Sequence, residues 1–215
     1  MSSFRHIRAK PSKADNDLAL FLSRWIRAPL RIGALAPSSP HLGREMARAI
    51  DAQAAKLVVE LGGGTGRITR ALLDAGVAPE RLIVIENDEK LASLLGVRFP
   101  QLSIVRGDAR ELLALLARFG VTQASAVVSG LPLLSMPPET QQRIVEQAFA
   151  LMGEEGTFVQ FTYGPMSPVM GRARIGLVAE VTGRVWRNFP PASVWRYRRS
   201  GIRNHEAEGS KTIAG

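Results

Sequence analysis

Short apolar runs alternate with amphipathic stretches along most of this chain. From Lys56 onward the runs "KLVVEL" (56–61), "RLIVIE" (81–86), "LSIVRG" (102–107), "ASAVVS" (124–129) and "GTFVQFTY" (156–163) have the length and β-branched content of buried strands. Residues 65–75, 88–99, 109–119 and 138–152 between them carry apolar positions at helical spacing. Strands and helices in this order predict a parallel sheet wrapped on both faces. After Tyr163 two apolar segments, near 176–187 and 193–199, have no helix between them, which predicts an antiparallel pair at the sheet edge. The fold class expected is α/β.

Ahead of the alternation, residues 1–14 are basic and polar. A helix is predicted over 15–28, capped by Asp15 or Asn16 and ended by Pro29. Its residues Leu18, Phe21, Leu22, Trp25 and Ile26 form one apolar stripe, with Arg24 and Arg27 on the opposite side. The stripe packs either on the protein's own domain or on a bilayer. "APSSP" (36–40) is a turn, and 40–49 reads as a further helix. The expected organisation is a basic N-terminus (1–14), a helical segment that caps the site or meets a membrane (15–50), the α/β domain (51–203) and a tail (204–215).

Composition narrows the chemistry. The chain has no cysteine, which excludes disulfides and thiolate catalysis and suits a reducing cytosol. His6, His41 and His205 lack ligand spacing, so no metal is expected. No uncharged apolar run reaches the ~18 residues of a spanning helix, and the N-terminus lacks a signal-peptide core. The net charge of +9 favours anionic partners. Arginines crowd both ends of the chain: Arg5, Arg8, Arg24, Arg27 and Arg31 at one, Arg184, Arg187, Arg196, Arg198, Arg199 and Arg203 at the other.

The strongest motif is "VVELGGGTGRIT" (58–69), a strand that runs into glycines opening a helix. Glycines there let the backbone turn sharply and approach a ligand, and the helix start offers free N–H groups. Glu60, Glu86 and Asp108 fall at the carboxyl ends of successive strands, the edge at which open α/β sheets bind ligands.

With these motifs the sequence resembles the class I S-adenosylmethionine-dependent methyltransferases, over Lys56 to about Tyr163. The resemblance implies a Rossmann-like sheet, mostly parallel with an antiparallel edge strand, and S-adenosylmethionine as cofactor. It implies that Gly62, Gly64 and Gly66 pass under the methionine part. Glu86, with Asn87 beside it, would hold the ribose, Asp108 and Ala109 would face the adenine, and Glu60 would act through the cofactor's ammonium.

In this family the loop after the fourth strand, here "SGLPLLSMPP" (129–138), meets the methyl acceptor. Relatives that methylate adenine N6, and the rRNA adenine dimethylases, carry an N-x-P-aromatic motif there. Gly130, Leu131, Pro132 and Leu133 stand at the aligned positions. A flipped base needs a π-face and edge hydrogen bonds, and these side chains supply neither. Bare carbonyls of Ser129 or Gly130 suit a small amine, with Leu131, Leu133, Leu134 and Met136 as apolar walls.

The ordered set "GALAPSS", "ELGGGTG", "SGLPLLSMP", "FTYGPMSPV" and "WRNFPPASVWRYRR" is similar to the bacterial phospholipid N-methyltransferases of the soluble, peripheral type. This implies successive methylation of phosphatidylethanolamine to phosphatidylcholine by a cytoplasmic protein on the inner face of the cell membrane. It implies a catalytic set of Ser129, Gly130, Leu131 and Tyr163, with Tyr163 as a wall for the cationic product. Ser38, Ser39, Pro132, Leu133, Arg196, Tyr197 and Arg198 would contact substrate, the arginines through its phosphate. The membrane would be met by Leu18, Phe21, Leu22, Trp25, Ile26, Arg24 and Arg27. Glu139 and His41 are the candidates for a base. A monomer is expected, with anionic lipid as partner and no metal or nucleic acid. The competing readings are an RNA or DNA adenine methyltransferase and a non-catalytic adaptor.

Overall fold

A computed structural model describes residues 40–163, 166–169, 175–186 and 191–201. The expected helix over 15–28, its apolar stripe, Ser38, Ser39 and the tail lie outside these residues. Seven strands form one sheet in the order β3-β2-β1-β4-β5-β7-β6. They are β1 (Val58–Leu61), β2 (Leu82–Glu86), β3 (Ser103–Arg106), β4 (Ala126–Ser129), β5 (Thr157–Tyr163), β6 (Leu177–Val185) and β7 (Ala192–Arg199). The first five run parallel. β7 pairs antiparallel with both β5 and β6, so the helix-free segments do form an antiparallel pair at the edge.

Among the described residues five α-helices accompany the sheet: α1 (Pro40–Arg48), α2 (Arg67–Asp74), α3 (Glu89–Arg98), α4 (Leu112–Ala117) and α5 (Pro138–Met152). Each central strand is buried on both sides, as expected of a parallel sheet between helix layers. On one face Val58, Val84, Val128 and Val159 meet Leu42 and Met46 of α1, Ile68 and Leu72 of α2, and Leu95 of α3. On the other, Val59, Leu61, Val127 and Phe158 meet Leu112 and Leu116 of α4 and Ile144 and Phe149 of α5. Leu42 and Met46 are fully buried. That part of the 15–50 segment, Pro40–Arg48, is therefore built into the core.

Local chemistry sets the helix starts. Asp88 caps α3, its carboxylate accepting from the amides of Lys90 (2.9 Å) and Leu91 (3.0 Å). Gly66 precedes α2 in the left-handed region, φ 80°. A Cβ there would sit 2.3 Å from Cε2 of the Phe99 ring, so both the turn and the packing require glycine.

The chain leaves β1 toward β2 on one side, while β4 lies on the other. Strand order reverses at this point, and the crevice beyond the carboxyl ends of β1 and β4 is where such sheets bind ligands. Among the described residues no helix is long and apolar enough to cross a membrane.

Candidate active site

Glu60 sits next to the tip of β1 and is completely buried. Neither of its carboxylate oxygens has a hydrogen-bond partner among the described residues, and the buried Thr69 hydroxyl has none either. Burial pushes the Glu60 carboxyl from its ordinary 4.5 to about 8. The Thr69 hydroxyl and amide pull weakly the other way, and the nearby Glu86 adds to the rise. Thr69 approaches Glu60 without closing a formed hydrogen bond. A buried carboxyl with two orphan oxygens lacks a cationic or donor partner.

Glu86 ends β2 and reaches across to the glycine turn. Its Oε2 accepts from the Gly64 amide at 2.8 Å, and its Oε1 from the Asp88 amide at 2.9 Å. Each oxygen keeps a second acceptor position. Asn87 follows it, exposed. Past β3, Asp108 accepts from the Arg110 amide at 2.9 Å and from the Arg110 guanidinium at 2.9 and 2.6 Å. That pairing holds its carboxyl below the usual range. Ala109 is buried behind it.

The loop after β4 lies directly over the glycine turn. A Cβ on Gly62 would come within 2.7 Å of Leu131 Cδ2, and one on Gly130 within 2.8 Å of the Gly62 carbonyl. The Gly130 amide donates to the Leu61 carbonyl at 2.8 Å. Ser129, fully buried, accepts from the Leu131 amide at 3.3 Å. Two side chains absent from the sequence reading hold this loop. Gln160 Nε2 donates to the Leu131 carbonyl at 2.9 Å, and Gln141 Nε2 to the Leu133 carbonyl at 3.0 Å. The signal for Gln160 was present: it is the one amide inside the apolar strand "TFVQFTY".

The carbonyls of this loop differ in what they accept. The Leu131 carbonyl accepts from Gln160 and from the Leu133 amide, at 2.9 Å each, so it is not bare. The Gly130 carbonyl accepts from none of the described residues. Leu133 is also not a wall of the site. It is 1% exposed and packs into the core against α5. Pro132, Leu131, Leu134 and Met136 are half-buried along the rim.

Arg196, Tyr197 and Arg198 do not join the site. The carboxyl tip of β5 is Tyr163, which pairs with Ala192 at the start of β7. Arg196 and Tyr197 pair with Val159 and Phe158, nearer the start of β5. Arg196 is ion-paired to Glu180 on β6, and Arg198 Nε lies 3.4 Å from Thr157 Oγ1. Tyr197 is a core residue at 0% exposure, its hydroxyl 2.8 Å from Ser167 Oγ. The expected phosphate contact therefore fails on register. Tyr163 is at the tip but largely buried, edge-on to Phe161 with ring centres 5.3 Å apart. Of the base candidates, His41 is engaged by Arg44 through Nδ1 at 2.8 Å, and Glu139 is exposed in the first turn of α5. No cluster of three His, Asp or Glu suited to a metal occurs among the described residues.

The fold and this crevice define a class I S-adenosylmethionine-dependent methyltransferase. Solved structures share the architecture. An O-methyltransferase from Bacillus cereus, in complex with SAH, superposes with TM-score 0.58 at 13% identity, over 88% of this chain and 92% of its own. The magnesium protoporphyrin IX methyltransferase of Synechocystis PCC 6803, with bound SAM, gives 0.56 at 12%, over 90% and 86%. No protein-family model matches the chain. Among curated proteins, the ornithine lipid N-methyltransferase of Singulisphaera acidiphila is 39% identical over 183 residues, 83% of this chain and 94% of its own. The ribosomal RNA small subunit methyltransferase A of Anaeromyxobacter dehalogenans is 30% identical over 165 residues, 70% of this chain and 57% of its own. The chain belongs to the S-adenosylmethionine-dependent methyltransferase family that includes the Singulisphaera enzyme.

Proposed function

We propose that this protein methylates the amine of a lipid head group at a membrane surface, with phosphatidylethanolamine as acceptor and phosphatidylcholine as the end of successive transfers. The observation that carries the reading is the Gly130 carbonyl. It is an unoccupied acceptor on a loop whose side chains are apolar, directly over the glycine turn. The 39% identity to an enzyme named for a lipid N-methyltransferase supports a lipid acceptor. The same relative favours a second acceptor, ornithine lipid. Both head groups present a primary amine, which this loop suits equally.

The residues fit the cofactor. The orphan carboxyl of Glu60 suits an ammonium, and the two free acceptor positions of Glu86 suit a vicinal diol. S-adenosylmethionine, when bound, supplies a methyl group on a sulfonium, open to attack by a neutral amine. The protein's part is placement and desolvation. Gly130 accepts one N–H of the amine, which turns the nitrogen lone pair toward the cofactor side. Leu131, Leu134 and Met136 exclude water from the path of attack. Glu60 takes up negative charge when the cofactor's ammonium enters. Tyr163 lines the far wall, where a methylated ammonium gains from an aromatic face.

An adenine acceptor has less support. Gly130, Leu131, Pro132 and Leu133 offer no π-face, and Leu133 is held in the core. The test is methyl transfer from labelled cofactor to mixed micelles of phosphatidylethanolamine, ornithine lipid or neither, with ribosomal RNA in parallel. Labelled mono-, di- and trimethylated phosphatidylethanolamine is expected. Label in ornithine lipid alone moves the substrate to that lipid, and label in RNA alone ends the proposal.

A further inference from the structure

On the outer side of α2 lies a groove of about 460 Å³ between α1, α2 and the end of α3. Arg44, Arg67, Arg70 and Arg98 line it, against the single carboxylate of Asp74. We propose that this groove binds the phosphodiester of an anionic phospholipid, a lipid distinct from the methyl acceptor, and so docks the enzyme on an acidic leaflet.

Four guanidiniums around one concavity repel one another unless an anion joins them. Among the described residues Asp74 is the one acid that lines the groove. Arg44, Arg70 and Arg98 form no ion pair with any described residue: Arg44 contacts His41, Arg98 donates to the Thr65 carbonyl at 2.6 Å, and Arg70 lies over the Phe99 ring at 5.1 Å. These contacts hold the arginines in place without neutralising them. Each keeps further N–H donors, and guanidinium forks match phosphate oxygens. Of the other arginines on the described surface, Arg48, Arg106, Arg110, Arg196 and Arg199 each pair with an acid, while Arg81, Arg118, Arg143, Arg184 and Arg198 are scattered along the chain.

Position singles out a bilayer lipid over a soluble phosphate. Pro40 lines the groove, and the sequence ahead of it bears on the ligand. That sequence carries Leu18, Phe21, Leu22, Trp25 and Ile26 with Arg24, Arg27 and Arg31. A phosphate site continuous in sequence with an apolar and basic stretch matches the head-group and acyl layers of a membrane. Gly66, in the wall of the groove, also closes the cofactor turn. The inference rests on the lipid reading above, but it concerns docking and not the acceptor.

The experiment is vesicle co-sedimentation of the full chain with phosphatidylglycerol–phosphatidylcholine vesicles and with phosphatidylcholine alone. The double variant R44Q/R70Q is compared with R106Q/R118Q, which removes the same charge outside the groove. The groove variant is expected to lose about tenfold or more in affinity for the acidic vesicles, in line with two lost phosphate contacts. R106Q/R118Q is expected within about twofold of the parent, and both are expected to keep cofactor affinity, which shows that they fold. Equal losses in the two variants would mean diffuse surface charge and overturn the proposal. So would displacement of the protein from vesicles by millimolar glycerol phosphate, which marks a soluble ligand. Loss of ribosomal RNA binding in R44Q/R70Q with vesicle binding intact would assign the groove to nucleic acid. Methyl transfer to detergent-dispersed lipid is read separately. Its absence defeats the acceptor proposal and leaves the vesicle result to decide the groove.

Discussion

Gly130 packs its α-carbon against the carbonyl of Gly62, closely enough that a methyl group there would sit 2.8 Å from that oxygen. The contact joins the loop after β4 to the turn after β1 across the point where strand order reverses. Leu131 completes it from the other side, with Cδ2 2.7 Å from where a Gly62 Cβ would lie. Acceptor loop and cofactor turn are thus one packed unit, and a change in either is felt by both.

Gly130→Ala tests that unity. The added methyl meets the Gly62 carbonyl oxygen at 2.8 Å and Ile68 Cδ1 at 3.2 Å, and the first of these is backbone that no side-chain rotation can move. Overpacking of this kind costs about 1–3 kcal/mol. Weaker S-adenosylmethionine binding by calorimetry is expected together with slower methyl transfer, even though Gly130 belongs to the acceptor loop. Slower transfer with unchanged cofactor affinity would mean that the two loops act separately.

Glu60 makes cofactor binding a proton-release step. In the free protein its carboxyl titrates at about 8 and is protonated at neutral pH, because burial disfavours the anion. An ammonium beside it favours the anion, so binding below that pH expels a proton. Cofactor affinity is expected to rise with pH from about 6 to about 8, approaching tenfold per unit, and then to level off. The free protein behaves oppositely. A raised pKa means that the folded state holds more protons than the unfolded one, so the stability tied to this group is lost as pH rises from 4.5 through about 8. Calorimetry in two buffers of different ionisation heat counts the proton. Glu60→Gln is expected to abolish both slopes, and a slope that survives in that variant would assign it to another group.

Gln160→Leu probes the tie on the acceptor loop. The amide donates to the Leu131 and Phe161 carbonyls, at 2.9 and 3.0 Å. The Leu131 carbonyl keeps its bond from the Leu133 amide after the substitution. Leucine also removes the buried, unpartnered Oε1. The net stability cost is therefore expected near the low end for a hydrogen bond, about 1 kcal/mol, by denaturant titration. The loop that aims the amine is loosened more than the fold. A fall in kcat larger than the change in KM for lipid is expected, and equal stability and rate losses would make Gln160 purely structural.

Much of this was legible from residue pattern alone. The strand and helix alternation follows from local periodicity, which is clearest in the central strands because they are buried on both faces. Glu60 and Glu86 announced themselves as acids at the ends of apolar runs. The misreadings were non-local. Arg196, Tyr197 and Arg198 suit a phosphate by their chemistry, but the register of β7 against β5 puts Ala192 at the carboxyl tip instead. The core role of Tyr197 was half visible, since it alternates in direction with its arginine neighbours. Leu133 reads as a loop residue, and only the packing of α5 beneath it turns it inward. Gln160 was visible as a misfit, but its partner Leu131 is a loop residue whose position sequence does not give.

Glu86→Gln separates charge from shape at the second carboxylate. Glu86 holds two backbone amides, one in the glycine turn and one before α3, each on its own oxygen. Glutamine keeps one acceptor oxygen and places an NH2 where the other stood, facing an N–H. The turn at Gly64 or the approach to α3 must then give way. Losing a charge-assisted bond costs about 1.5–3 kcal/mol, so S-adenosylmethionine is expected to bind roughly ten- to a hundredfold more weakly by calorimetry. S-adenosylhomocysteine carries the same ribose without the methyl, and its affinity is expected to fall in proportion. A loss confined to one of the two cofactor forms would remove Glu86 from the ribose and restrict it to bracing the turn.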